Sequence, residues 1–316
     1  MGATIIRCDD RRALAAVLDE DRASGGDVAF VPTMGALHAG HVTLVERATT
    51  LAATVVVSIF VNPTQFDAAT DLATYPRTLD ADLALLDDVA RATGSRIVVY
   101  VPSVDDVYPD GPAATLHVPH VTEHLCGASR PGHFDGVATV VDALLRAVRP
   151  TILVMGRKDH QQLVVVRRLV EREGHAVAVD AAPTVRADDA VAVSSRNTLL
   201  DADGRALARR VPRALAAGIA VVRGARTDGA MVEPAVVRAA AAAELDGDGL
   251  TIDYLETVDP HRIVPLDAAH DPAVPLLLAV AVHVRTGERT VRLIDNVLLG
   301  DVEDEQRLLD ALARAA

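Results

Sequence analysis

Two histidines lie three residues apart in the segment PTMGALHAGHVTL, which contains the end of the apolar run DVAFVPTM. Gly35 and Gly40 have the spacing of the glycines in a Walker A loop, but His41 and Val42 stand where that loop has lysine and serine or threonine. The first turn of a helix presents free N–H groups and a partial positive charge. Two imidazole donors, His38 and His41, at such a helix start therefore predict a site for phosphoryl oxygens.

Two simpler explanations of the histidine pair compete with this one. The rings could cap the helix or face solvent, or His-x-x-His could be half of a metal site. No cysteine and no obvious third ligand follow nearby. The strand, the glycine turn and the helix start together favour the phosphate site.

A second polar turn, FVNPTQF, follows the β-branched run TVVVSIFV. An Asx turn stabilised by Pro63 would explain Asn62, but it would not explain Gln65. Side-chain amides can both donate and accept hydrogen bonds. Asn62 and Gln65 together therefore suit a small polar substrate better than a polyphosphate.

The third turn, MGRKDHQQL, contains Lys158, the only lysine among 31 lysine and arginine residues. Arginine is suited to forked recognition, whereas lysine is a compact and mobile point charge. A phosphate that changes geometry during a reaction is better followed by lysine. We therefore interpret Lys158 as functional, against the alternative that chance left one lysine in the chain.

Strands and helices alternate through the first half of the chain, which predicts an α/β fold with a parallel sheet. The predicted strands are DVAFVPTM, TVVVSIFV, RIVVYV and TILVM, and the predicted helices are HVTLVERATTLAA, TLDADLALLDDVARATG, GVATVVDALLRAVRP and HQQLVVVRRLVEREG. Ligands of such sheets bind beyond the carboxyl ends of the strands. The three polar turns lie at such ends, so we expect the chemistry there.

The pattern changes after about Pro183 to a polar loop-like stretch, then Ala-rich helices between about Ala202 and Leu245. The strands LTIDYLETV, AVPLLLAVAV and RTVRLIDNVLL follow, with RTGER as a hairpin turn. We predict two domains: a Rossmann-like domain over residues 1–184 and a smaller α+β domain over residues 185–316.

Composition narrows the class of protein. A net charge of −13 over 316 residues disfavours nucleic-acid binding through a broad basic surface. Cys8 and Cys126 do not form a disulfide framework, which favours reduced thiols in a cytoplasmic protein. The N-terminal residues lack the apolar run of a signal peptide, and AVPLLLAVAVHV is too short to span a bilayer.

Seven motifs, in order over nearly the whole chain, closely resemble the pantoate–β-alanine ligase family. They are PTMGALHAGH, VSIFVNPTQF, YPRTLDADL, RPGHFDGVATVV, GRKDHQQL, VAVSSRN and RLIDN. The His-x-Gly-His element also resembles the wider nucleotidyltransferase superfamily, in which the VSSRN stretch corresponds to a mobile phosphate-binding loop. The resemblance implies a Rossmann-like domain with a smaller C-terminal lid domain, a homodimer, and ATP and Mg²⁺ as ligands. It also implies that pantoate is adenylated and that β-alanine then displaces AMP.

The resemblance assigns roles to individual residues. His41 is implied as proton donor, with His38 and Lys158 as further catalytic residues. Gln65 and Gln162 are implied for pantoate, and Gln65 with Asn62 for β-alanine. Asp82 is our candidate Mg²⁺ ligand, although an ordinary exposed helix acid is almost as good an explanation. The residues implied for ATP are Met34, Gly35, Ala36, Leu37, His38, Ala39, Gly40, His41, Gly156, Arg157, Lys158, Asp159, Val185, Val193, Ser194, Ser195 and Arg196.

Several positions depart from the family pattern. Thr64 and Val193 replace usual methionines, Met155 a usual phenylalanine, and Asp189 a glycine of the loop. We expect tuned affinity rather than lost activity. The roles of Arg130 and His133 are open.

Three alternatives also remain open. The chain could be a relative of the aminoacyl-tRNA synthetases, a nucleotidyltransferase that stops at adenylyl or cytidylyl transfer, or a non-catalytic nucleotide-binding module.

Overall fold

The computed structural model describes residues 5–23, 25–66, 72–73 and 75–315. The chain forms two compact units. The first consists of the chain up to Pro119, Arg130–Arg157 and Gln162–Ala182, and the second consists of His120–Ser129, Lys158–Gln161 and the chain from Pro183. Two short segments that precede Pro183 thus group with the second unit. The division into domains at residue 184 stays a prediction.

The first unit is built on a sheet of six parallel strands, which confirms the predicted α/β class. The strands are β1 (Ile6–Cys8), β2 (Val28–Thr33), β3 (Thr54–Ile59), β4 (Arg96–Tyr100), β5 (Ile152–Gly156) and β6 (Ala178–Ala182). The helices up to Ala182 are α1 (Arg11–Ala23), α2 (Ala39–Leu51), α3 (Leu79–Thr93), α4 (Val104–Val107), α5 (Cys126–Ser129), α6 (His133–Val148) and α7 (His160–Glu173).

The central strands are the ones that the sequence predicted, because they are buried on both faces and read as continuous apolar runs. β3, for example, is buried along its whole length. The prediction missed β1 and β6, which lie at the two edges of the sheet. β1 is three residues long, and β6 is Ala-rich with an acidic centre, so neither has the apolar run of a buried strand.

The strand order is β1-β4-β3-β2-β5-β6, so β2 lies between β3 and β5. β3, β4 and β1 lie on one side of β2, and β5 and β6 lie on its other side. The order therefore reverses between β2 and β5, where ligands of open parallel sheets bind. The three polar turns predicted to be functional follow these three neighbouring strands.

The second unit contains an antiparallel sheet in the order β7-β8-β9. Its strands are β7 (Leu250–Val258), β8 (Leu276–Thr286) and β9 (Arg289–Leu299), and the helices after Pro183 are α8 (Ala202–Ala208), α9 (Arg210–Asp228), α10 (Pro234–Leu245) and α11 (Val302–Ala315). The predicted hairpin joins β8 to β9 through Gly287, which has a positive φ of 57°. Val and Leu side chains of these strands and helices form one core. Within the described ranges, no helix is long and apolar enough to cross a membrane.

Candidate active site

The backbone of the turn after β2 is held by the carboxylate of Asp82. Gly35 has a φ of 79°, and a Cβ there would lie 3.0 Å from the Asp82 carboxylate. The next two backbone N–H groups, of Ala36 and Leu37, donate to Asp82 at 3.0 and 2.8 Å. The turn therefore needs glycine at its first position and is fixed by a buried acid on α3.

The two histidines lie at the start of α2, as predicted. His38 is the N-cap residue of α2, and its side chain does not cap the helix. The rings of His38 and His41 are stacked, with centroids 4.0 Å apart and planes 23° from parallel. The pair thus presents two imidazoles together beside the positive end of a helix, an arrangement suited to phosphoryl oxygens.

The candidate magnesium ligand has a different environment from the one expected. Asp82 is 2% exposed, and its oxygens accept three hydrogen bonds: the two from the turn and one from Thr78 Oγ1 at 3.2 Å. Mg²⁺ prefers an octahedral shell that retains several waters, which this carboxylate does not fit. Among the described residues, no three His, Cys, Asp or Glu side chains group as a metal site would require. The contacts support a role for Asp82 in holding the turn.

The turn after β3 places the amides of Asn62 and Gln65 side by side. Asn62 is 1% exposed and donates from Nδ2 to Gln65 Oε1 at 3.1 Å. Its Oδ1 accepts from the backbone N–H of Thr64, so the simpler Asx-turn explanation of Asn62 holds. Gln65 is half-buried and is oriented by Asn62. The predicted contact of Asn62 with β-alanine stays a prediction.

The motif RPGHFDG supports this turn. His133 Nδ1 donates to the carbonyl of Gln65 at 2.9 Å, and Arg130 Nη2 donates to it at 3.2 Å. A Cβ at Gly136 would lie 2.3 Å from the carbonyl oxygen of Thr64, so only glycine allows α6 to approach this closely. Arg130 and His133, whose roles were open, therefore anchor the main chain of Gln65.

The turn after β5 carries the cations. Gly156 ends the strand, and Arg157–Asp159 form one 3₁₀ turn that leads directly into α7 and Gln162. The Lys158 side chain is 18% exposed, and its Nζ lies 3.5 Å from the Asp159 carboxylate. Asn296 Nδ2 donates to the carbonyl of Lys158 at 2.7 Å. The motif RLIDN thus supplies the group that fixes the main chain of the only lysine.

Residues 185–193 form a short hairpin in the second unit. The N–H of Val193 donates to the carbonyl of Val185 at 2.9 Å, so two residues implied for ATP are neighbours. Asp295 pairs with Arg186 at the base of the hairpin at 2.7 Å, and both side chains are buried.

Asp189, one of the departures from the family pattern, lies in this hairpin and binds Arg205 at 2.7 Å and Arg209 at 3.3 Å. Burial raises the pKa of Asp189, but the hydrogen bond and charge of Arg205 outweigh it, so that the pKa lies below its usual value. The acid that replaces the expected glycine therefore ties the hairpin to α8 and to Arg209, which precedes α9.

The SSRN stretch forms a 3₁₀ turn over Ser195–Leu199, with Ser194 accepting from the N–H of Arg196 at 3.3 Å. It does not cap the following helix, because Asp201 does so by accepting from Gly204 N–H at 2.7 Å. Lys158, Ser194 and Arg196 line one pocket of about 370 Å³ in the second unit, part of which is open solvent. The structure therefore brings together three of the predicted phosphate-binding residues.

Reasoning from the sequence missed several residues that contact these turns: Tyr108, whose hydroxyl donates to Asn62 Oδ1, and Gly136, Arg186, Asp295 and Asn296. Gly136, Asp295 and Asn296 lie in motifs that were recognised in the sequence. A motif alone, however, does not show which of its residues contacts another loop.

The chain matches known proteins over most of its length. Residues 7–298 match the family model described as pantoate-beta-alanine ligase. A pantothenate synthetase from a Geobacter species is 44% identical over 276 residues, which is 87% of this chain and 93% of that protein. One from Rhizorhabdus wittichii is 46% identical over 291 residues, 92% of this chain and 95% of that protein.

Solved structures agree with these sequence matches. The crystal structure of pantothenate synthetase from Thermus thermophilus has a TM-score of 0.78 and 38% identity, covering 93% of this chain and 99% of that one. Pantoate-beta-alanine ligase from Francisella tularensis, complexed with beta-gamma ATP and beta-alanine, has a TM-score of 0.68 and 29% identity, covering 93% and 98%.

Proposed function

Because the chain belongs to the pantoate–β-alanine ligase family, we propose that it joins (R)-pantoate to β-alanine at the expense of ATP, forming pantothenate, AMP and pyrophosphate. The observation that carries the proposal is the strand order. It sets the imidazole turn after β2 between the amide turn after β3 and the start of the cationic turn after β5. The residues predicted to bind phosphate and the small substrates thus follow three adjacent strands.

In the first step, a carboxylate oxygen of pantoate attacks the α-phosphorus of ATP, and the bond to the bridging oxygen of pyrophosphate breaks. Two anions must approach each other, so the site has to neutralise charge and align the groups. His38 and His41 would donate to the α-phosphate or the bridging oxygen, with His41 as the proton donor. Lys158 and Arg196, with the hydroxyls of Ser194 and Ser195, would hold the β- and γ-phosphates.

The remaining residues implied for the nucleotide would contact its other parts. Residues 34–41 would line it, Gly156 and Asp159 would meet the ribose, and Val185 the adenine. Gln65 and Gln162 would bind pantoate. Magnesium is expected with ATP from the resemblance alone, and no residue of this chain is assigned to it.

In the second step, the amine of β-alanine attacks the acyl carbon of pantoyl adenylate, and the acyl C–O bond breaks to release AMP. Gln65 and Asn62 are the residues implied for β-alanine. Acyl adenylates hydrolyse, so the intermediate must be kept from water until the amine arrives. The resemblance also implies a homodimer and a lid function for residues 185–316. A cytoplasmic location is supported by Cys8 and Cys126, which are buried and not disulfide-bonded.

Isotope transfer tests the proposal directly. Pantoate labelled with ¹⁸O in its carboxylate is incubated with the protein, ATP, Mg²⁺ and β-alanine, and the products are analysed by mass spectrometry. We expect one ¹⁸O in AMP and one in the amide carbonyl of pantothenate, with pyrophosphate formed only when pantoate is present.

Two outcomes would select an alternative. Pyrophosphate that forms without pantoate would indicate a nucleotidyltransferase with another acceptor. No pyrophosphate under any of these conditions would indicate a binding module.

A further inference from the structure

A relay of two hydrogen bonds leads from the buried Tyr108 hydroxyl to the half-buried Gln65. Tyr108 is 6% exposed, and its hydroxyl donates to Asn62 Oδ1 at 2.7 Å. Asn62 then donates from Nδ2 to Gln65 Oε1 at 3.1 Å. Tyr108 lies in a segment to which neither the motifs nor the resemblance gave a role, so its contact with the substrate turn was not anticipated.

The donor and acceptor roles in this series of hydrogen bonds are fixed by two backbone groups that can act in only one way. The backbone N–H of Thr64 can only donate, and it faces Asn62 Oδ1 at 3.3 Å. The carbonyl of Gly136 can only accept, and it faces Asn62 Nδ2 at 3.1 Å. The Asn62 amide therefore has one allowed orientation, with its NH₂ group towards Gln65.

The orientation of Gln65 follows from that of Asn62. Because Gln65 Oε1 accepts from Asn62, its NH₂ group must point the other way, where it contacts the Met34 thioether. A thioether sulfur is a weak acceptor, so a substrate oxygen would be the better partner. Gln65 is thus presented as a donor.

We propose that Tyr108, acting through Asn62, is a positioning residue that presents the Gln65 N–H to an oxygen of the anionic hydroxy acid substrate. The proposal rests on the function proposed above. Burial raises the pKa of Tyr108, against the lowering effect of its contacts with Thr64 and Asn62, so the phenol stays protonated and donating at neutral pH. A ligand that offers donors in place of acceptor oxygens is disfavoured by this arrangement.

Thr64 adds a second hydroxyl to the hydrogen-bond network around Asn62. Thr64 Oγ1 lies 3.0 Å from Asn62 Oδ1 and 3.3 Å from the Tyr108 hydroxyl. Thr64 stands where the family pattern has methionine, which cannot donate. The departure at Thr64 therefore reinforces the orientation of Asn62.

The test compares two buried tyrosines. Tyr108→Phe removes the donor and keeps the ring, and Tyr100→Phe is the matched control, because the Tyr100 hydroxyl donates to Asp106 outside this network. For Tyr108→Phe we expect the KM for pantoate in pyrophosphate release to rise about fivefold to tenfold, the effect of removing the shortest of the hydrogen bonds that Asn62 Oδ1 accepts. The KM for ATP and the kcat should stay within about twofold of wild type. Tyr100→Phe should leave the KM for pantoate unchanged.

A double-mutant cycle separates positioning from general destabilisation. If Tyr108 acts only through Gln65, Tyr108→Phe will have no further effect on the KM for pantoate in a Gln65→Ala background. Additive effects, or an equal rise for Tyr100→Phe, would overturn the proposal. Should Tyr108→Phe not fold, Asn62→Asp takes its place in the cycle, because a carboxylate still accepts from Tyr108 but cannot donate to Gln65. An unchanged KM for pantoate in Asn62→Asp would also overturn the proposal. A wild-type protein that releases no pyrophosphate with pantoate would instead refute the proposed function.

Discussion

Lys158 lies in the 3₁₀ turn that leads from β5 into α7. The chain uses arginine for its other 30 basic positions, yet it keeps lysine in the turn after β5. Asn296 holds the Lys158 carbonyl, and the side chain lines a pocket with Ser194 and Arg196. A short flexible cation fixed at its main chain can follow a moving phosphate.

Replacing Lys158 by arginine tests this interpretation. We expect Lys158→Arg to lose nearly as much adenylation activity as Lys158→Ala, about 10²–10³ in kcat or roughly 3–4 kcal/mol of transition-state stabilisation. The larger planar guanidinium cannot take the place of a point charge at this position. The exposed Arg168 provides the control, since Arg168→Lys makes the reverse exchange on the surface of α7 and should keep full activity. Near wild-type turnover of Lys158→Arg would contradict the argument from the only lysine.

Helices that carry no reacting group hold the functional turns. α3 contributes Asp82 to the imidazole turn, and α6 contributes Gly136 and His133 to the amide turn. Residues of two family motifs, YPRTLDADL and RPGHFDG, therefore act by holding the backbone of these turns in place. A turn between parallel strands and helices has few contacts of its own, so its geometry must be imposed from neighbouring elements.

Asp82→Asn distinguishes this support from a magnesium-binding role. An amide keeps the size of the side chain but turns its NH₂ group towards one of the two backbone N–H donors, which contact different oxygens of Asp82. We therefore expect a loss of about 1.5–3 kcal/mol in the free energy of unfolding without any ligand. The KM for ATP should rise, and added Mg²⁺ should not restore it. Asp80→Asn, an exposed acid in the same first turn of α3, is the control. A variant with unchanged stability whose activity returns at high Mg²⁺ would show that Asp82 is a metal ligand after all.

At the scale of the whole molecule, the residues implied for ATP belong to both compact units. Residues 34–41 are in the first unit, and Lys158 and Ser194–Arg196 are in the second. A ligand that uses residues of both units would link their stabilities. Within the second unit, the ion pairs of Asp189 with Arg205 and Arg209 connect the 185–193 hairpin to α8 and to the start of α9.

Arg196→Ala tests the predicted lid function of the second unit. Without ligand, the melting temperature should be nearly unchanged, because Arg196 is exposed and Asp201 caps the next helix. The rise in melting temperature caused by ATP should be much smaller than in wild type, and adenylation should be largely lost. Arg213→Ala removes an exposed arginine of α9 and serves as the control.

Limited proteolysis provides a second measurement of the same idea. ATP should reduce cleavage of the wild-type chain between Pro183 and Asn197. Full adenylation activity in Arg196→Ala, or no effect of ATP on that cleavage, would require another function for the second unit.

The sequence by itself determined the family, the α/β class, the central strands and the location of the polar turns. These features are local, since a buried parallel strand is a continuous apolar run, and a glycine turn with two histidines is visible in ten residues. The tertiary structure decided which side chains point at those turns. Asp82 is 45 residues from Leu37 and Tyr108 is 46 from Asn62, so no periodicity relates them. Their contacts arise only when the strand order brings distant segments to one edge of the sheet, which is why the sequence indicated neither the contacts of Asp82 with the imidazole turn nor the contact of Tyr108 with Asn62.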